Sequence, residues 1–181
     1  NWLQWVEKIL IAVFDRLLER AVTYLAYVAA FIIGLIFVMI VLDVTARTIG
    51  ATPPGITLTV VEYALLYFAM CSAPWLVRHR GHVAIEALVT ILPSAIQKFL
   101  AKLVYLACTI SSIMFAYFST ILLFEALKSM EFDLRGVEVP LWLLFAPMPL
   151  AFTLISFEFL MYLIGLRSYY NYDLTEVRDS V

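Results

Sequence analysis

The chain is short of charge, of histidine and of paired cysteine. Only 14% of its 181 residues are Asp, Glu, Lys or Arg, where a soluble domain carries about 25%, so it cannot cover itself with a water-facing surface of ordinary composition. Cys71 and Cys108 stand singly inside apolar runs. Without paired spacing they offer neither a zinc site nor a redox dithiol, and both read as reduced packing residues. The two histidines, His79 and His82, share one segment. They fall short of the roughly four ligands a closed zinc site takes, and from one loop they cannot ligate haem between facing helices. No nucleophile elbow, glycine-rich phosphate loop or HExxH motif is present, so enzyme readings have no starting point. A formal net charge of −2 excludes a protein held mainly by nucleic acid phosphates.

What the chain does have is apolar side chains, 64% against a soluble norm of about 45–50%. That excess points to an integral membrane protein. Stretches free of Asp, Glu, Lys, Arg and His run from Ala21 to Leu42, Tyr63 to Val77, Leu103 to Phe124 and Val139 to Phe157. The first and third each hold 22 residues, about 33 Å of helix against a hydrocarbon core of about 30 Å. The second extends back past Glu62 to about Thr57, and the fourth continues past Glu158 to Leu166. The expected fold is therefore an all-α integral membrane protein with transmembrane helices at 21–47, 57–77, 93–130 and 139–166. Pro140 is a helix starter, whereas Pro147 and Pro149 should bend or unwind the fourth span.

Residues 1–20 differ. Gln4, Lys8, Asp15 and Glu19 recur at helical spacing opposite a broad apolar face, which predicts an amphipathic helix in the membrane interface with Trp2 and Trp5 at headgroup depth. The acids Glu7, Asp15 and Glu19 fit a cleaved signal peptide poorly. The segment 82–92 is short, mostly apolar and stopped by Pro93. It is expected to rest on the bilayer, and residues 167–181 form a tail. Lys8, Arg16, Arg20, Arg78, Arg80, Lys98, Lys102, Arg167 and Arg178 fall on one set of loops and ends, against Arg47, Lys128 and Arg135 on the other. Basic loops stay inside, so both termini are expected in the cytoplasm of a bacterial inner membrane protein. An even number of spans requires the same.

Candidate functional residues are few. Ala26, Ala30 and Gly34 in the first span, and Cys108, Ser112, Ala116 and Thr120 in the third, repeat at four-residue spacing, as helix contact faces in lipid do. Asp43 and Arg47 lie one turn apart with the acid first, the favourable order for an intrahelical pair. Glu62 and Glu158 are acids embedded in apolar sequence, where a carboxylate costs on the order of 2.5 kcal/mol or more at a helix centre. Neither has a second embedded acid, Asn or Gln to share an ion, which favours structural or partner contact over a proton or sodium site. Arg78, Arg80 and His82 follow the second span and suit phospholipid headgroups or a helix carboxyl end.

Together these fragments resemble a known family. VLDVTARTIG closes the first span, VVEYALLYFAMCSAPWLVRHRGHVAIEAL covers the second and the loop, with Arg78 to Val83 as its most telling piece, and VPLWLLFAPMPLAF opens the fourth. Over about residues 25–160 the order and spacing are similar to those of the small, DctQ-like membrane subunit of tripartite ATP-independent periplasmic (TRAP) transporters. The resemblance implies a separate large membrane subunit as partner and a soluble periplasmic protein that delivers the substrate. It also implies secondary transport, generally sodium-driven, of solutes bearing a carboxylate. Sodium and substrate would bind the large subunit, so no cofactor, metal or catalytic residue is expected in this chain. Asp43, Arg47 and Glu62 would organise the outer side, and Arg78, Arg80 and His82 the inner side. Two rival readings are a dimeric four-helix exporter exchanging protons at Glu158 or Glu62, and a haem-free membrane anchor of a redox enzyme.

Overall fold

A computed structural model of the chain describes residues 2–52, 56–79, 94–133 and 138–165. The loop segment expected at 82–92, the tail 167–181, Arg80 and His82 lie outside the described residues. Four helices are long and apolar enough to cross a membrane, within Ile11–Thr48, Ile56–Arg78, Lys102–Ser129 and Leu141–Ile164.

Helix α1 runs unbroken from Trp2 to Thr48. The sequence divides this stretch at residue 20 by its change in polarity, but no proline interrupts it before Gly50, and the backbone stays helical across the change. Its 47 residues make about 70 Å of helix, more than twice one bilayer crossing. Gly50 ends it at φ +80°. The Gly50 N–H donates to the Arg47 carbonyl (3.1 Å) and the Ala51 N–H to the Ala46 carbonyl (2.9 Å), the paired bonds of a Schellman stop that needs a left-handed residue at Gly50.

Helix α2 spans Ile56–Arg78 and passes through Pro74. Helix α3, Ser94–Ser129, begins directly after Pro93 and has 36 residues, about 54 Å. Met130 at φ 49° turns the chain out of it. There the all-helical expectation needs a small correction, because Phe132–Asp133 (β1) pairs antiparallel with Val139–Pro140 (β2) and closes the connection as a short ribbon. The Leu141 N–H donates to the Glu131 carbonyl at 2.9 Å and secures the same turn.

The fourth span is two helices, α4 (Leu141–Phe145) and α5 (Pro147–Ile164), with Pro140 at the N-cap of the first and Ala146 between them. Pro147 and Pro149 lack the N–H groups that would continue the ladder from α4, so the helix restarts at Pro147. Gly165 ends α5 at φ +83°.

Packing follows the order α1 on α2, α2 on α5, and α5 on α3, with α4 also against α3. Val77, Tyr105, Ile155 and Tyr162 form one buried cluster, and Leu18, Val22 and Met161 another. Both draw on the end of the bundle where α2 and α5 finish. Elsewhere large apolar side chains face outward, among them Phe31 and Phe37 on α1 and Ile113, Phe115 and Phe118 on α3, as surfaces turned to lipid or to another membrane protein do.

Candidate functional site

Arg78 is the last residue of α2, where the negative end of the helix dipole favours a cation. Its guanidinium is held by three carboxylates from two other helices. Nη1 donates to Glu158 Oε1 at 2.6 Å. Nη2 lies 3.3 Å from both Asp15 Oδ1 and Glu19 Oε2. Asp15 and Glu19 are one turn apart on α1, so one face of that helix presents both acids to one arginine. The planar fork of arginine can serve acceptors from different directions, which a lysine ammonium does less well.

Burial grades across the cluster. The Glu158 side chain is 0% exposed and that of Arg78 5%, whereas Asp15 keeps 30% and Glu19 58%. The inner pair is therefore cut off from water and the α1 acids form its rim. One turn beyond Glu158 on α5, the Tyr162 hydroxyl donates to the Arg78 carbonyl at 3.0 Å, with the Val77 carbonyl at 3.4 Å. Helix α5 thus holds Arg78 by its side chain through Glu158 and by its backbone through Tyr162. Tyr105 of α3 stacks on Tyr162 with ring centroids 5.7 Å apart and brings the remaining long helix to the same place.

From Glu19 to Asp43 is 24 residues of continuous helix, about 36 Å, so the two charged levels of α1 bracket one hydrocarbon thickness of about 30 Å. At the far level Arg47 Nε donates to Asp43 Oδ2 at 2.8 Å, and the arginine side chain is 66% exposed. Glu62 is exposed on α2. Among the described residues it takes no part in that ion pair. Glu158, by contrast, gains the contact partner that the sequence left unnamed.

The small-residue stripes separate. Ser112 is buried, and Cys108, Ala116 and Thr120 are half-buried on α3, whose neighbours are α5 and α4. The Ser112 and Thr120 hydroxyls donate back to the Cys108 and Ala116 carbonyls at 2.7 and 2.6 Å, so neither needs a ligand. On α1 the face buried within the chain is Leu18, Val22, Ala29 and Ile36. Ala26 is half-buried beside it, and Ala30 and Gly34 are exposed.

Asp15 and Glu19, read from the sequence only as the polar face of an interfacial helix, are the site residues that sequence reasoning missed. Their four-residue spacing was visible, but an amphipathic pattern does not distinguish acids facing water from acids facing an arginine 60 residues away.

Four helices long and apolar enough to span, three of them joined by an internal ion-pair cluster, define a multi-pass membrane protein. Residues 36–168 match the family described as tripartite ATP-independent periplasmic transporters, DctQ component, and the chain belongs to that family. It is a family of transporter components and not of enzymes. No curated protein and no solved structure matches the chain.

Proposed function

We propose that this chain is the stationary small subunit that anchors a separate large transport subunit in the membrane. A periplasmic binding protein delivers a carboxylate-bearing substrate, and a sodium gradient drives its uptake through the large subunit. The observation that carries this reading is the Arg78 cluster. The buried charged groups among the described residues, Arg78 and Glu158, bind each other and, with Asp15, fix α1, α2 and α5 at one level. Groups so used suit a part that stays still while another moves. A proton-exchanging exporter would need its acid open to water from one side at a time, and Glu158 is fully buried against Arg78.

The cluster joins the amino-terminal part of α1 to the carboxyl ends of α2 and α5, which puts these three on one face. Nine of the 12 basic residues fall on that side of the topology, so we assign it to the cytoplasm, with both termini. Purification of the tagged chain from its native membranes in mild detergent, followed by mass spectrometry, tests the role. A stoichiometric large polytopic partner supports it. A clean homodimer without such a partner rejects it.

A further inference from the structure

Pro147 and Pro149 have no N–H, so the Leu143 and Phe145 carbonyls lack the donors that would carry the helical ladder from α4 into α5. The backbone at Ala146 is still helical, with φ −54° and ψ −42°, and its N–H reaches the Trp142 carbonyl at 2.9 Å. Helix α4 therefore runs into α5 with two ladder bonds missing at the join.

The Leu143 carbonyl has found another donor. Tyr67, 76 residues earlier on α2, donates its hydroxyl to that oxygen at 2.6 Å. We propose that this bond is the latch of a proline hinge. Closed, it holds α4 and the β1–β2 ribbon to α2; open, it lets them turn about Ala146 and Pro147 while α5 stays in place. The inference rests on the two prolines and the hydroxyl, and not on the transport role.

The surroundings of the bond give it this leverage. Helix α4 packs against α3, whereas α2 packs on α1 and α5, so Tyr67 bridges two elements that otherwise share little contact. Helix α4 has five residues, none of them buried, and neither its length nor a packed face fixes its direction. Strand β2, Val139–Pro140, leads directly into it, and the Leu141 N–H donates to the Glu131 carbonyl at 2.9 Å. The ribbon and α4 are thus tied to each other and move as one piece.

The other end of the fourth span is held differently. Glu158 lies 15 residues beyond Leu143, about 22 Å along the helix, and is fully buried against Arg78. A neutral hydrogen bond shifts a local equilibrium by about two- to tenfold, far less than the loss of one partner from a buried ion pair. The ribbon end is therefore the one that opens.

Amide hydrogen exchange of the full chain in mild detergent, read by mass spectrometry, tests the latch. Tyr67→Phe keeps the ring and removes the donor, so peptides covering 139–146 should exchange about five- to tenfold faster, with those around Glu158 unchanged. Adding Pro147→Ala puts an N–H back within reach of the Leu143 carbonyl and should return exchange to the parent rate or below. Adding Pro149→Ala instead serves the Phe145 carbonyl and should recover less. If Tyr67→Phe prevents folding outright, recovery of folded chain with Pro147→Ala but not with Pro149→Ala supports the same substitution of donors. Unchanged exchange in Tyr67→Phe, recovery that is absent or equal for the two proline changes, or acceleration that spreads through α5 would each overturn the latch.

Discussion

Arg78 and Glu158 are 80 residues apart in the chain and meet at 2.6 Å with 5% and 0% of their side chains exposed. Removing two such groups from water costs several kcal/mol each, and their attraction offsets this only when the geometry is good and other acceptors complete it. Here Asp15 and Glu19 supply the further acceptors. The cluster specifies which helices meet, since α2 and α5 brought together in another register would leave a charge unmatched in an apolar setting.

The first prediction follows from that asymmetry. Arg78→Met removes the cation that three carboxylates share and should cost on the order of 3–5 kcal/mol. Glu158→Gln should cost less, because Arg78 keeps Asp15 and Glu19. The double change Arg78→Met with Glu158→Gln should recover part of the loss, since Glu158 is then no longer an unmatched buried charge. Thermal unfolding of the four proteins in mild detergent gives the cycle, and additive losses would show that the pair is not coupled.

Tyr162→Phe isolates the second grip on Arg78. The ring and its stacking on Tyr105 remain, while the bonds to the Val77 and Arg78 carbonyls are lost. The expected cost is about 1 kcal/mol, or about 2–4 °C in midpoint for a chain of this size. An unchanged midpoint would mean that another donor serves the end of α2.

Much of the fold was legible because lipid imposes a simple rule, that apolar helices long enough to span must run uninterrupted. Pro93, Pro140, Pro147 and Gly165 punctuate the sequence where helices start or stop in the structure. Period and polarity also showed which positions of α1 share a face. They could not show what that face meets, so Asp15 and Glu19 read as the polar face of an interfacial helix and Glu158 as an embedded acid with no named partner. Nor could spacing tell the α3 stripe, packed within the chain, from the α1 stripe, which turns outward. Those distinctions depend on contacts between residues about 40 to 140 apart in sequence.

The Asp43–Arg47 pair lies at the helix surface, with Arg47 66% exposed. Pairs of this kind contribute a few tenths of a kcal/mol. Arg47→Glu should therefore leave the unfolding midpoint of the isolated chain nearly unchanged while lowering uptake or the yield of large subunit co-purified with it. Normal uptake together with normal complex yield would remove Arg47 from the partner surface.

The two small-residue stripes give the sharpest contrast. Ser112 is buried on α3 against its helical neighbours, so Ser112→Leu should overpack that contact and cost about 1–3 kcal/mol in the isolated chain. A Cβ at Gly34 meets nothing within 4 Å, and leucine is a better helix former than glycine by nearly 1 kcal/mol in water. Gly34→Leu should then leave the isolated chain as stable as before, or slightly more so. If α1 offers Ala30 and Gly34 to a helix of the large subunit, the same substitution blocks close approach and lowers recovery of that subunit several-fold. Unfolding midpoint and co-purification yield, measured on the same preparations, separate the two faces. A Gly34→Leu chain that still recovers its partner in full would leave this stripe facing lipid.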